Sequence, residues 1–319
     1  MTATENYRFI LQPGSQKHIC PGCGKRRFVR YLDQKAGELL PPDFGKCDRQ
    51  INCGYWVDPY KEGYTKRVYQ QENENPATTK PKVRKLPPPR PMSLIQVGIM
   101  QASLKKYNEN NFVRFLHSIF DECTVQRLVA DYRIGTSKLW IGACVFWQVD
   151  NQDRIRTGKI MLYNPATGKR VKHNDRALIQ WAHKKLNNLE FNLKQCYFGE
   201  HLLKQYPDKP VAMCESEKTA IIAAGNYPQF LWLAAGGLNL LSAERSNALK
   251  YRTVVLFPDL EALEIWQQKA QQIKEAYPSI RIFISTYLQD IAGEDEKAAG
   301  LDIADFLTLK THSHGTPQN

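Results

Sequence analysis

The sequence predicts an α/β protein built in parts, with a parallel sheet at its C-terminal end. Two observations carry this. Over residues 210–310, short apolar runs alternate with helical patterns: "PVAMCES", "FLWLAAGG", "TVVLFPD" and "RIFIST" read as strands, and "SEKTAIIAAG", "NLLSAERSNALKY" and "ALEIWQQKAQQIKEAY" as the helices between them. Strands joined through helices return in the same direction and pair in parallel. At the other end, four of the eight cysteines crowd before position 54, in a segment with little core of its own.

The chain's 319 residues suffice for two or three domains. The stretch 70–92, "QQENENPATTKPKVRKLPPPRPM", is polar, then basic, then proline-rich, and is expected to be an extended spacer. It separates a module at 1–69 from a middle α+β subdomain at 93–209 and the parallel α/β domain at 210–310; a flexible tail is expected at 311–319. In the middle part, apolar residues at helical spacing mark the region 103–132. "LWIGACVFWQVDNQDRIRTGKIMLY" reads as two strands around the turn Asn151-Gln152-Asp153.

Charge is uneven. Of a net +12, residues 1–92 and 93–209 contribute +8 each and residues 210–319 contribute −4. A basic front and middle beside an acidic end suits a protein that grips polyanions and uses metal chemistry. No stretch approaches the ~20 apolar residues of a membrane span, so no membrane partner is expected. The start lacks the pattern of an export signal, and the cysteines do not form a disulfide framework. A reducing, cytoplasmic location is the expectation.

Cys20 and Cys23 stand in "CPGCGKRRF", and Cys47 and Cys53 in "GKCDRQINCGYW". Two close thiolate pairs can close a tetrahedral zinc site. His18 is near enough to be an alternative ligand, and a redox dithiol is the competing reading. Lys25, Arg26, Arg27 and Arg30, interleaved with Phe28 and Tyr31, suit single-stranded nucleic acid through phosphate pairing and base stacking. In the middle part Arg154, Arg156, Lys159, Lys169, Arg170 and Lys172 suggest a groove for nucleotide or template phosphates. Arg154 and Arg156, two apart on a strand, share a face.

In parallel sheets chemistry collects at the C-terminal strand ends. Glu215 ends the first strand of this part, with Lys218 one turn on. Gly236-Gly237 ends the second strand, and Asp259 and Glu261 follow the third. Asp302 and Asp305 come after the fourth. Clustered carboxylates raise one another's pKa unless a cation binds, and Mg²⁺ or Mn²⁺ suits oxygen ligands.

This succession of strand–Glu–helix, strand–Gly-Gly and strand–Asp-x-acid–helix resembles the Toprim domain of bacterial replicative primases, topoisomerases and some nucleases. The resemblance implies that Glu215 serves as acid/base or metal ligand and that Asp259 holds Mg²⁺ with its neighbour, here Glu261 where the family has Asp. "DIADFL" looks like the later acidic segment of primase Toprim domains. The order of zinc module, linker, basic module and Toprim domain resembles primases too, including those of plasmids and mobile elements. The first finger pair of those primases is commonly Cys-x2-His. The resemblance implies template-dependent synthesis of RNA primers on single-stranded DNA from ribonucleoside triphosphates, with a replicative helicase as a further partner. The alternative is a zinc-containing single-strand binder with a degenerate Toprim domain, serving plasmid or transposon replication or transfer.

Overall fold

The computed structural model describes residues 7–14, 16–48, 53–74, 91–186, 188 and 190–313. The chain divides into two compact units, residues 1–89 and 90–319. Most of the expected spacer, including Lys80, Lys82, Arg84, Lys85 and Arg90, lies outside the described residues.

The first unit is an antiparallel sheet centred on the strand Arg26–Asp33, which pairs with Phe9–Leu11 and with Gly45–Cys47; Trp56–Val57 lies beyond the latter. The central strand alternates enough to bury Phe28, Tyr31 and Asp33. Phe28 packs with Cys20 and Cys47, whereas Tyr31 joins Phe9, Leu40 and Phe44 in a second small cluster. A side chain at Gly45 would begin 2.3 Å from the Val29 carbonyl and 2.4 Å from the Phe28 ring, so only glycine lets these strands pair over that ring. A helix, Tyr64–Glu74, runs on past residue 69 into the stretch expected to be spacer.

In the second unit a short helix, Val97–Ser103, precedes the helices α1 (Asn111–Ile119) and α2 (Glu122–Asp131). The Asn110 and Asp121 side chains accept from the free N–H groups of their first turns, which fixes where each begins. An antiparallel sheet follows: β1 (Gly135–Ser137), β2 (Ala143–Val149), β3 (Ile155–Met161) and β4 (Ile179–Trp181), in the order β4-β3-β2-β1. Every residue of β2 is buried, and Trp147 and Tyr163 are core residues.

The parallel sheet contains β5 (Val211–Cys214), β6 (Leu231–Ala234), β7 (Thr253–Leu256) and β8 (Arg281–Ile284), in the order β6-β5-β7-β8. All three pairings are parallel. Helix α3 (Glu217–Asn226) follows β5, α4 (Leu263–Ala276) follows β7, and α5 (Ile303–Ser313) closes the described chain. The stretch read as a helix after β6 is instead a loop with a short 3-10 turn, Arg245–Leu249. Its early part is held by side-chain contacts to the strand ends, described below. Helix α5 also takes in residues 311–313 of the expected tail.

The larger of two apolar cores in the second unit runs from Phe112 and Phe146 through Phe198 to Met213, Leu233, Trp266 and Leu307; the smaller gathers Ile95, Val145, Trp147 and Ile155. The stretches 93–209 and 210–310 therefore share their interior. The chain leaves β5 to one side, towards β6, and later returns to the other, at β7. The crevice between β5 and β7 is thus the topological switch point, where such sheets bind ligands.

Candidate functional site

Two sites emerge, one in each unit. In the first, Cys20 Sγ lies 3.7 Å from Cys53 Sγ, and Cys23 Sγ lies 4.0 Å from Cys47 Sγ. All four sulfur atoms lie within 4.8 Å of one another. Zinc–sulfur bonds of ~2.3 Å in a tetrahedron put sulfurs about 3.8 Å apart, so the four thiols fit one zinc ion. The Lys25 backbone N–H, aimed at Cys23, brings that thiol down to about 7, towards the thiolate a metal needs. His18 is turned away, with Nε2 2.9 Å from the Gln12 amide oxygen.

In the second, Glu215 follows β5 directly and Asp259 stands just beyond β7, on the two sides of the switch point. The backbone fixes both. Phe257 N–H bonds the Met213 carbonyl at 2.7 Å, extending the β5–β7 ladder, and Gly236 N–H bonds the Glu215 carbonyl at 2.8 Å. Burial, with the charges of Asp302, Glu215 and Asp305, pushes the Asp259 carboxyl up to about 8, against the pull of Arg170. Burial also raises Glu215, opposed by the Leu238 N–H and by Lys159 and Arg170. Asp302 and Asp305 cap α5 reciprocally: Asp305 N–H donates to Asp302 at 3.0 Å, and Asp302 N–H to Asp305 at 3.2 Å. Thr219 Oγ1 donates to Asp302 at 2.5 Å, and Lys218 Nζ lies 3.4 Å from Asp305.

The structure thus brings Glu215, Asp259, Asp302 and Asp305 into one electrostatic neighbourhood. Glu261 differs: it is exposed, and its carboxyl carbon lies 3.6 Å from where a Gly300 side chain would begin. Among the described residues, the cysteines are the group whose ligating atoms meet within 4.8 Å; the acids stand further apart.

The basic residues divide. Arg154 and Arg156 do share a face, but both Nε atoms bond one buried oxygen of Asp150, at 2.8 and 2.7 Å. The other Asp150 oxygen accepts the N–H groups of Gln152 and Arg154. Burial alone would raise the Asp150 carboxyl; these hydrogen bonds outweigh it and hold it below the usual range. The two arginines therefore brace the turn between β2 and β3, where the charge run had suggested phosphate ligands; Arg156 is largely enclosed, while about a third of the Arg154 side chain, 34%, stays exposed. Asp150→Ala strands two guanidinium groups, and we expect a loss of about 3–5 kcal/mol in urea unfolding, against about 1 kcal/mol or less for the more exposed Arg154→Ala.

Lys159 likewise points inward. Its Nζ lies 2.9 Å from Glu217 Oε2 and 3.4 Å from the Gly236 carbonyl. Arg170 and Lys172 are exposed. In the first unit Lys25, Arg26 and Arg27 are exposed, whereas Arg30 donates to the Leu40 carbonyl. Phe28 and Tyr31, expected beside them as stacking rings, are core. Tyr7, Trp56, Tyr60 and Tyr69 are the exposed aromatic rings among the described residues there, and Trp56 has Lys46 Nζ 4.4 Å and Lys61 Nζ 5.3 Å from its centre. Sequence reasoning missed Glu217, Asp150 and Gln148, all buried. The one available signal was a glutamine inside the apolar run "ACVFWQV".

Residues 7–70 match the family described as a zinc beta-ribbon finger, and residues 110–260 match a domain of unknown function (DUF6371). A zinc ribbon is therefore present at the N-terminal end. No curated protein sequence matches. Among solved structures, the primase fragment of the bacteriophage T7 primase-helicase is 15% identical, covering 89% of this chain and 97% of that one with a TM-score of 0.36. The Escherichia coli primase catalytic core is 12% identical, covering 69% and 84% with a TM-score of 0.41. The zinc-binding and RNA polymerase domains of Aquifex aeolicus primase are 10% identical, covering 96% and 84% with a TM-score of 0.34.

Proposed function

We propose that this chain is a DNA primase-like nucleotidyltransferase with a Toprim-type acid site, making short RNA primers on single-stranded DNA in the cytoplasm. The observation that carries this is the pair Glu215 and Asp259 at the switch point, with Asp259 raised to about 8 by burial and by three neighbouring carboxyls. Such a cluster is electrostatically incomplete without a cation. Its all-oxygen donor set fits Mg²⁺ or Mn²⁺ better than a thiolate-seeking metal. Glu215 and Asp259 would hold the ion, with Asp302 and Asp305 adding negative charge beside it.

When bound, the ion supplies positive charge to phosphate oxygens during attack of a primer 3′-hydroxyl on a ribonucleoside triphosphate. The chain's own groups do the rest. In this reading Glu215 takes the hydroxyl proton. Exposed Arg170, whose charge already reaches both acids, and exposed Lys172 bind nucleotide phosphates in this reading. The ribbon, through Lys25, Arg26 and Arg27, holds the template, and a replicative helicase is the natural larger partner.

Glu261 favours a second reading, a non-catalytic single-strand binder from a mobile replication or transfer system, because that carboxylate faces solvent near Gly300. Template-dependent ribonucleotide incorporation with Mg²⁺ or Mn²⁺ separates the two. Under the first reading the protein elongates; under the second it binds single strands without elongation. In either case binding weakens as salt rises, with a log–log slope of about −0.7 per phosphate contacted. Failure to bind at low salt refutes both.

A further inference from the structure

Lys159 was conspicuous in the sequence as one more cation in a basic run, yet the structure takes it away from solvent. Its partner Glu217 is 1% exposed, in the first turn of α3. Among the described residues, Lys159 makes the one hydrogen bond to that carboxylate; Glu217 Oε1 has no partner, and neither does the buried Gln148 amide beside it. Both face Gly236: a side chain there would begin 3.5 Å from Glu217 Oε1 and 3.8 Å from Gln148 Nε2. Gly236, at φ +90°, occupies backbone space that favours glycine, and Gly237 follows at +157°.

The turn they form is gripped by two cations. Lys159 reaches the Gly236 carbonyl, while Arg245 donates to the carbonyls of Ala235 at 3.0 Å and Leu240 at 2.7 Å. On its other side the turn meets Glu215: Gly236 N–H bonds the Glu215 carbonyl at 2.8 Å, and the Leu238 N–H lies near enough to favour its carboxylate form.

We propose that Lys159 is a positioning residue for the acid site, acting through the Glu217 carboxylate and the Gly236–Gly237 turn to fix where Glu215 stands. The physical reason is the isolation of Glu217. A buried carboxylate with one compensating cation cannot keep its place when that cation goes. The turn above it then loses both its carbonyl partner and its floor. This rests on the reading of Glu215 as a cation-binding group, but the turn's rigidity is measurable without it.

The test is amide hydrogen exchange on the metal-free full chain, followed by Mn²⁺ binding, for Lys159→Met, Lys159→Arg and Glu217→Gln. Lys159→Met and Glu217→Gln are expected to speed exchange at Gly236, Leu238 and Leu240 by about tenfold or more. The strand amides of β5 and β7 should not change, and Mn²⁺ affinity should fall by about tenfold. Lys159→Arg, which keeps the cation, should recover most of both. Unchanged exchange at the turn in Lys159→Met overturns the proposal. So does an equal rise at the turn and in the strands that Lys159→Arg does not reverse, because that is loss of global stability. If the unaltered protein takes up no Mn²⁺, the cation reading of Glu215 fails, while the exchange measurement still decides the positioning role.

Discussion

Glu215→Gln and Asp259→Asn are each expected to lower template-dependent ribonucleotide incorporation by at least about 10²–10³-fold, the scale set by removing one group that stabilises transition-state charge. Single-strand affinity at low salt should stay within about twofold, because neither residue belongs to the exposed basic set. Glu261→Gln is expected to cost less than about tenfold, since its carboxylate faces solvent instead of joining Glu215, Asp259, Asp302 and Asp305. Equal losses at positions 259 and 261 would show that Glu261 swings in to complete the site.

Asp259 also carries a stability signature of opposite sign. Its folded value of about 8 lies above the ordinary 3.8. Below pH 3.8 both folded and unfolded states are protonated, and the group contributes nothing. As pH rises from there, the unfolded state ionises first, so the folded state loses stability progressively until about pH 8. Asp259→Asn removes that cost. The metal-free variant should therefore melt several degrees above the unaltered protein at pH 8, at about 2–4 °C per kcal/mol, with the gap closing towards pH 4. An inactive variant that is more thermostable is the mark of a site strained for function.

The strand-end acids were legible because parallel α/β alternation is a local pattern that dictates a global one. Once β5 and β7 are recognised, Glu215 and Asp259 must lie at the same edge. The cysteine quartet was legible for a similar reason, since spacing alone brings two close pairs within reach of one ion. The roles of the cations were not legible. Lys159 and Glu217 are 58 residues apart in the chain, and a count of positive charges cannot distinguish a solvated lysine from one sealed under a turn. Arg154 and Arg156 were correctly placed on one face, but the buried Asp150 that they share looks in sequence like any turn aspartate. Phe28 and Tyr31 were misread because a ribbon so short spends part of its aromatics on its own core; the rings left on its surface are others, Trp56 with Tyr7, Tyr60 and Tyr69.

Removal of zinc is the second large effect, and it should fall on one unit alone. The described apolar clusters of the ribbon hold only a few residues each, Phe28 with the cysteines and Phe9, Tyr31, Leu40 and Phe44 on the other side. A core of that size does not hold a fold, and structural zinc in finger peptides contributes about 10–16 kcal/mol at neutral pH. Chelation, or Cys23→Ser with Cys47→Ser, should therefore abolish exchange protection across Arg26–Asp33. Protection in β5 and β7 should persist, because their core is continuous from Phe112 to Leu307 and contains none of the four cysteines. Protons compete with the metal for thiolates, so zinc should leave as pH falls and return as it rises. If the ribbon keeps its protection after chelation, the competing dithiol reading gains the site. If β5 and β7 lose theirs as well, the two units are coupled more tightly than their separate cores imply.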